Sequence, residues 1–425
     1  MSMTKEKMLQ YTQILKSELK TAMGCTEPIA IAYCAAYARR VLAAKPERYE
    51  VFCSANIVKN VKAVVVPQTG GLKGIEAATL AGGIGGNADA ELEVLTCLTD
   101  AHRREIRDCL KKGIVEIKPM EGSHALHILV KVYAGAESVC VEIIDSHTQV
   151  GRIWKNGELL RAYTVKDAAE EPMRDVQELN VRDILSYAQE VDLACISDVL
   201  ECQISYNSAI SEEGLTHVYG AGIGHVLMEN AMDNVRERAK AAAAAGSDAR
   251  MNGCPLPVVI NSDSGNQGIT VSLPIIVYAR EMGKPHEDVL RALCFGNLVA
   301  IHQKTGIGKL SAFCGATCAA AGAVAGIAYL EEEDYDTIAQ AIVNAVATVG
   351  GMVCDGAKSS CAGKIAVALE SAFIGYEAAK EQRGYRNGEG IVKRDVEKTI
   401  ESVGRMASRG MHATDKEIIE NMLEK

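Results

Sequence analysis

Long helix-forming stretches, in which Ala and Gly take the place of large apolar side chains, dominate the chain from residue 186 onward. The run AKAAAAAG at 239–246 and the uncharged stretch Leu310–Leu330 are examples, and the 425 residues include one Trp and four Phe. Ala favours helix, and side chains this small let helices approach closely instead of interlocking large rings. The pattern therefore predicts a bundle of closely packed helices.

The first 185 residues predict a mixture of helices and strands. An amphipathic helix is expected over 4–22 and a second one over Pro28–Val41, while short runs at Tyr49–Asn56 and Val61–Val66 are typical of strands. Further strands are expected near Val115–Lys118, Ala125–Tyr133, Ser138–Asp145 and Gln149–Trp154, before an Asn156-Gly157 hairpin turn.

The predicted fold class is α+β, with an N-terminal α+β domain followed by a mainly α-helical domain with Ala/Gly-rich packing. The segment 164–185 is charged and irregular around Glu170-Glu171-Pro172, and it marks the expected boundary. The domains are accordingly residues 1–185 and 186–425, and a chain of this length accommodates both.

Charge and cysteine content narrow the classes of function. A net charge of −10 argues against nucleic-acid binding and for a small-molecule protein. Fourteen cysteines without secretory features indicate a reducing compartment, and we expect a cytoplasmic protein. Leu310–Leu330 is long enough to span a bilayer but has few large apolar residues, so a buried helix is expected and no membrane partner. A homo-oligomer is compatible with these features.

Three cysteines in the helical part, Cys314, Cys354 and Cys361, stand among Gly, Ala, Ser and Thr. The last two are seven residues apart across a turn-forming segment, and Cys314 lies 40 residues before Cys354, about the span of a helical hairpin. Three converging thiols suit an iron–sulfur cluster with one iron open to substrate. The alternative is that they are small buried residues, because free cysteines are usually buried.

The segment Gly24-Cys25-Thr26-Glu27-Pro28 places a cysteine just before a predicted helix. Helix N-termini stabilise thiolates, so Cys25 is a candidate base or metal ligand. Glu27 is a candidate substrate contact in the same motif. The alternative is a plain helix break with a buried cysteine.

The segment NSDSGNQG at 261–268 follows the apolar run PVVI and is dense in hydroxyl, amide and N–H groups. Such a loop suits a carboxylate or phosphate, which makes Ser262, Ser264, Asn266 and Gln267 candidate substrate-binding residues. An ordinary capped turn is an equal alternative. The following 268–272 is expected to be extended.

The remaining motifs give weaker indications of function. The histidines at 147, 225 and 302 are interpreted as surface or packed side chains. No GxxxxGK[ST] is present, and AGGIGGNAD matches a dinucleotide loop poorly.

Six segments together resemble the L-cysteine desulfidase family, whose C-terminal half is similar to the alpha part of bacterial iron–sulfur L-serine dehydratases. They occur in the family's order over nearly the whole chain: GCTEP, VVVPQTGG, HTQVGRI, SDSGNQGI, LSAFCGAT and MVCDGAKSSC. The resemblance implies a [4Fe–4S] cluster on Cys314, Cys354 and Cys361, with Cys25 as the proton acceptor or a displaceable fourth ligand. Cys314 matches the family pattern better than Cys318, because Gly-Ala follows it directly.

The implied activity is a lyase that needs no pyridoxal phosphate and eliminates sulfide from L-cysteine to give pyruvate and ammonia. Two alternatives stay open. The same scaffold acts as an L-serine dehydratase, or the protein is a non-catalytic iron–sulfur or thiol sensor. The expected partner is a small amino-acid substrate.

Overall fold

The computed structural model describes residues 3–120, 124–162, 179–231, 233–308 and 310–423. Most of the predicted boundary segment, including Glu170-Glu171-Pro172, lies outside the described residues. The division at 185/186 therefore stays a prediction.

Helices and a mixed sheet build the first part of the chain. In order, its elements are α1 Lys5–Glu18, β1 Thr21–Met23, α2 Thr26–Leu42, β2 Arg48–Cys53, α3 Ala55–Val61, α4 Gly74–Gly85, a 3-10 turn at Ala88–Glu93, α5 Asp100–Lys112, β3 Val115–Pro119, β4 His127–Ala134, β5 Glu137–Ile144, β6 Val150–Lys155 and β7 Glu158–Ala162. Six strands form one sheet in the order β3-β2-β4-β5-β6-β7, with β2 and β3 parallel and the other neighbours antiparallel. The α+β class is confirmed.

Helix α2 is the central buried helix of this part. Its residues Ile29–Ala36 are all buried, and it packs against strands β4 and β5 on one side and against α4 on the other. The contact with α4 depends on Gly82, where a Cβ would lie 1.9 Å from the carbonyl oxygen of Ala32. This packing holds the N-terminus of α2, where Cys25 lies, in a fixed place.

Helices dominate the second part, as the Ala/Gly pattern predicts. In order, its elements are α6 Val181–Glu190, a 3-10 turn at Leu193–Cys195, α7 Ser197–Thr216, α8 Ile223–Glu229, α9 Val235–Met251, β8 Pro257–Val259, α10 Gly265–Met282, α11 His286–Ile307, α12 Ala316–Leu330, α13 Tyr335–Thr348, α14 Ser360–Lys380, α15 Val396–Arg405, a π turn at Met406–Gly410 and α16 His412–Leu423. Helices α11 and α12 cross at Gly296 and Gly322, and a Cβ on Gly322 would lie 2.5 Å from the Gly296 oxygen.

The two parts share a small sheet that the sequence did not predict. The expected helix over 4–22 ends at Glu18, and Thr21–Met23 becomes β1, which pairs antiparallel with β8. Thr21 lies opposite Val259 in this register. The partner strand lies more than 200 residues away, so no local pattern could reveal the pairing.

Two other local predictions were wrong. The strand expected at Val61–Val66 does not form. Helix α3, with Ile57 and Val61 fully buried at helical spacing, extends to Val61, and beyond it only Val65 makes an isolated bridge, with Lys73. The extended segment expected at 268–272 is helical, because α10 already begins at Gly265, behind the capping Ser264. Burial in the first case and a helix cap in the second outweighed local strand preference.

The uncharged stretch 310–330 contains the 15-residue helix α12, most of which is buried. Among the described residues, no helix combines the length and the apolar character that crossing a bilayer requires.

Candidate functional site

One cavity of about 110 Å³ collects residues from both parts of the chain. Its wall includes almost all of the predicted site residues: Cys25, Glu27, Ser264, Asn266, Gln267, Cys314, Cys354 and Cys361. Ser262 is the exception, because its buried hydroxyl donates to Asn261 Oδ1 at 2.9 Å and its side chain is not among the lining residues. The cavity lies at the N-termini of α2 and α10.

Cys314 and Cys354 are brought together by a short antiparallel bridge. Phe313 pairs with Val353, the Cys314 N–H donates to Met352 O at 2.9 Å, and the Cys354 N–H donates to Ala312 O at 2.6 Å. The backbone thus aligns two loops that are 40 residues apart in sequence, as the hairpin prediction required.

Cys361 lies in the first turn of α14, after a tight turn that begins at Cys354. Its thiol lies 3.7 Å from Gly356 O, and Asp355 pairs with both Lys358 and Lys364 to hold the turn. Gly356 has a φ of +93°, and a Cβ there would lie 2.4 Å from the carbonyl oxygen of Lys59. The turn therefore needs glycine and rests on α3 of the first part.

Cys318 is the neighbouring alternative to Cys314. It is buried in α12, one turn after Cys314, and it is absent from the cavity wall. This position favours Cys314 as the ligand candidate.

The three thiols are a plausible donor set for an anionic cluster. Burial, together with the nearby Cys354 and Cys361, raises the pKa of Cys314 to about 12, and burial also raises the pKa of Cys361. Thiolates at Cys314 and Cys361 therefore need positive charge from a metal. Lys304 lines the same cavity; burial lowers the pKa of its ammonium, while the neighbouring Cys318, Cys354 and Cys314 act in the opposite direction.

The described residues contain no group of three or more His, Cys, Asp or Glu side chains placed to hold a single metal ion. A cubane cluster makes a different demand, because each cysteine binds a different iron. Three thiols on one cavity wall, beside the buried Lys304, fit that demand in chemistry.

Cys25 is the N-cap residue of α2. Its Sγ lies 2.9 Å from Glu27 Oε2, to which the thiol donates. Burial, and next the charge of Glu27, raise the pKa of Cys25, so its roles as base or metal ligand stay predictions. Cys25 also packs with Cys361 around Val64 and Met251.

The GCTEP segment is tied to the NSDSGNQG segment by Thr26, whose hydroxyl lies 3.1 Å from Asp263 O. The latter segment is a tight turn rather than a loop over its whole length. Ser262 and Asp263 have φ of 50° and 62°, Ser264 N donates back to Asn261 O at 3.0 Å, and helix α10 follows. Left-handed conformations at two consecutive non-glycine residues are strained, and such strain clusters at functional sites.

Gln267 joins this helix start to the cysteine region. It is 4% exposed, and a Cβ on Gly315 would lie 2.5 Å from its side-chain Cδ. Within the described part of the chain, its Oε1 is buried without a hydrogen-bond partner. Gly315 therefore makes room for a polar side chain next to Cys314.

The cavity-wall residues that were not predicted as site residues include His147, Arg250 and Lys304. His147 is 3% exposed, its Nδ1 lies 3.9 Å from Asp263 Oδ2, and neither ring nitrogen has a hydrogen-bond partner among the described residues. Arg250 and Lys304 are 3% and 5% exposed. His147 lies within the HTQVGRI segment, but no local pattern separated Arg250 or Lys304 from exposed helical charges.

Comparison with known proteins identifies relatives over nearly the full length. The profile of the serine dehydratase alpha chain family matches residues 88–420. A UPF0597 protein of Desulfitobacterium hafniense is 49% identical over 97% of this chain and 96% of its own length. UPF0597 proteins of Lachnoclostridium phytofermentans (48%, over 96% of this chain and 98% of its own) and Finegoldia magna (47%, over 98% and 100%) are also similar.

Proposed function

The chain belongs to the serine dehydratase alpha chain family, and on this premise we propose that it is an iron–sulfur-dependent lyase that eliminates sulfide from L-cysteine. The products are pyruvate, ammonia and hydrogen sulfide. Family membership supports a lyase that degrades an amino acid, and the choice of L-cysteine rests on the six-motif resemblance.

The convergence of four thiols on one cavity carries the proposal. Cys314, Cys354 and Cys361 would hold a [4Fe–4S] cluster, with Cys25 opposite the substrate. When bound, the cluster supplies an iron with an open coordination position, a Lewis acid that helps the β-sulfur to leave. All 14 cysteines are free, which supports a reducing compartment, and we place the reaction in the cytoplasm.

Proton transfer is assigned to Cys25 and Glu27. The thiol proton of Cys25 passes to Glu27 Oε2, to which it is already hydrogen-bonded, and the resulting Sγ takes the α-proton of the substrate. The Cα–H electron pair forms the Cα–Cβ double bond while the Cβ–S bond breaks and sulfur leaves as sulfide. The aminoacrylate tautomerises to an imine, which water hydrolyses to pyruvate and ammonia.

The buried pair of His147 and Asp263 supplies a second candidate proton-transfer group. An imidazole whose ring nitrogens make no hydrogen bond among the described residues can protonate the departing sulfide at Nδ1 or Nε2.

L-serine dehydration is the second candidate, and the family's own description favours it. The two reactions share every step except the identity of the leaving group. The same residues would therefore serve both.

Anaerobically reconstituted protein, assayed with L-cysteine and L-serine for sulfide and pyruvate, tests the proposal. Cys354→Ala should lose the brown chromophore and activity, whereas Cys318→Ala and the exposed Cys97→Ala should keep both. Full iron and sulfide content in Cys354→Ala would reject the assigned ligands. A loaded protein that releases pyruvate from neither amino acid would favour the sensor alternative.

A further inference from the structure

Arg250 is a buried guanidinium that forms no ion pair with the described residues, although Cys25 and Glu27 are near enough to interact with it electrostatically. It lies in the last turn of α9, is 3% exposed and lines the cavity. Within the described residues its guanidinium makes one hydrogen bond, from Nη1 to Asn266 Oδ1 at 3.1 Å, and no ion pair. Burying an unpaired charge is costly, so such a cation on a cavity wall indicates a site for an anion.

The neighbouring segment is shaped to hold this guanidinium. A Cβ on Gly265 would lie 2.3 Å from Arg250 Nε and 2.6 Å from Cζ, so only glycine permits the close approach. The next residue, Asn266, presents the Oδ1 acceptor, and Ser264 caps the helix that carries both. A planar guanidinium held in this way is oriented before a ligand arrives.

The carboxylates on the cavity wall have other neighbours. Glu27 accepts from the Cys25 thiol at 2.9 Å, and Asp263 lies 3.9 Å from His147. Within the described residues, the cavity's other buried cation without an ion pair is Lys304, on the side of Cys314 and Cys354. The two buried cations therefore suit two anions: the cluster that the cysteines would hold beside Lys304, and a ligand that enters and leaves beside Arg250.

We propose that Arg250 binds the α-carboxylate of the amino-acid substrate and that Asn266 positions its guanidinium. The inference rests on the proposed function for the identity of the reaction, and it narrows the substrate class to small amino acids with a free carboxylate. A guanidinium pairs with a carboxylate through two parallel hydrogen bonds, which also fixes orientation. Asn266 Oδ1 is already engaged, so Asn266 acts through Arg250.

Binding of two unreactive probes tests this without catalysis. L-alanine has the carboxylate and amine but no leaving group, and ethylamine lacks the carboxylate. Calorimetry on the reconstituted protein should show L-alanine binding at least tenfold more tightly than ethylamine. Arg250→Gln should weaken the binding of L-alanine at least tenfold and leave the binding of ethylamine unchanged, since a hydrogen-bonded charge pair is lost. The L-alanine affinity of Arg250→Lys should lie between those of the wild type and Arg250→Gln. Asn266→Ala should weaken L-alanine binding by a smaller factor than Arg250→Gln.

Arg280→Gln, exposed at the opposite end of α10 from Asn266, is the matched control and should bind both probes like the wild type. Equal binding of the two probes by the wild type, or unchanged L-alanine binding by Arg250→Gln, would overturn the proposal. If Arg250→Gln fails to fold, Asn266→Ala decides, and unchanged L-alanine affinity there overturns it. Arg250-dependent L-alanine binding in a protein that turns over neither L-cysteine nor L-serine would support this inference and reject the proposed function.

Discussion

Replacing Gly322 with alanine tests whether close helix packing organises the site. At the crossing of α11 and α12, the new Cβ would lie 2.5 Å from Gly296 O and 3.1 Å from Ala300 Cβ. The oxygen belongs to a helix backbone and cannot rotate away. Ordinary contact begins near 3.4 Å, so the two helices must separate by roughly 1 Å in a core packed to crystal-like density.

The magnitude follows from two opposing effects. Overpacking of this kind costs about 1–3 kcal/mol, whereas Ala in place of a helical Gly gains about 1 kcal/mol. Gly363 in α14 provides the matched control, because a Cβ there meets nothing within 4 Å. Gly363→Ala keeps the helical gain without the clash, so the two variants should differ in unfolding free energy by about 1–3 kcal/mol.

Thermal unfolding of both variants at one scan rate measures this difference. Domains of 150–250 residues lose roughly 2–4 °C of Tm per kcal/mol, so Gly322→Ala should melt several degrees below Gly363→Ala. Helix α11 carries Lys304 and α12 begins two residues after Cys314, so iron content after reconstitution should also fall in Gly322→Ala alone. A Gly322→Ala protein as stable as Gly363→Ala would refute the packing argument.

Three further predictions concern titration and the cavity. Burial raises the pKa of Asp248 to about 6, so the stability that this group contributes is complete below its unfolded pKa near 3.8 and is lost as pH rises through 6. Asp248→Asn keeps an acceptor for the Gly224 N–H and should remove on the order of 3 kcal/mol of this pH dependence. Denaturant titrations between pH 4 and 7 measure it, and an unchanged pH profile would contradict the prediction. If Cys25 is the base, Cys25→Ser should keep the cluster and substrate binding but lose exchange of the α-proton with solvent. If Cys25 is a fourth ligand, the absorption spectrum of Cys25→Ser should be altered before substrate is added. Full exchange with an unaltered spectrum would exclude both roles. Lys304→Gln should lower iron content after reconstitution because the cation beside Cys314 and Cys354 is removed, and wild-type loading would show that this charge is not needed.

Patterns within a short stretch of sequence were sufficient for the fold class and for most elements. The Ala/Gly-rich helices, the antiparallel strands from β4 to β6 and the Asn156-Gly157 turn depend on neighbours along the chain, and the structure has all of them. The resemblance to iron–sulfur dehydratases is confirmed at the level of the serine dehydratase alpha chain family. The roles assigned to the site residues stay predictions.

The sequence by itself determined which residue types are available for chemistry: three cysteines in small-residue surroundings, a fourth before a helix, and a segment rich in hydroxyl and amide groups. Only the tertiary structure decided which of them meet. The bridge between Phe313 and Val353 aligns two thiols, and the pairing of β1 with β8 joins the two parts of the chain near the cavity. Arg250, Lys304 and His147 could not be singled out beforehand, because a charged or aromatic side chain in a helix or turn looks the same whether it faces solvent or a cavity. Burial decides its energy, and burial is set by contacts between segments that are far apart in sequence.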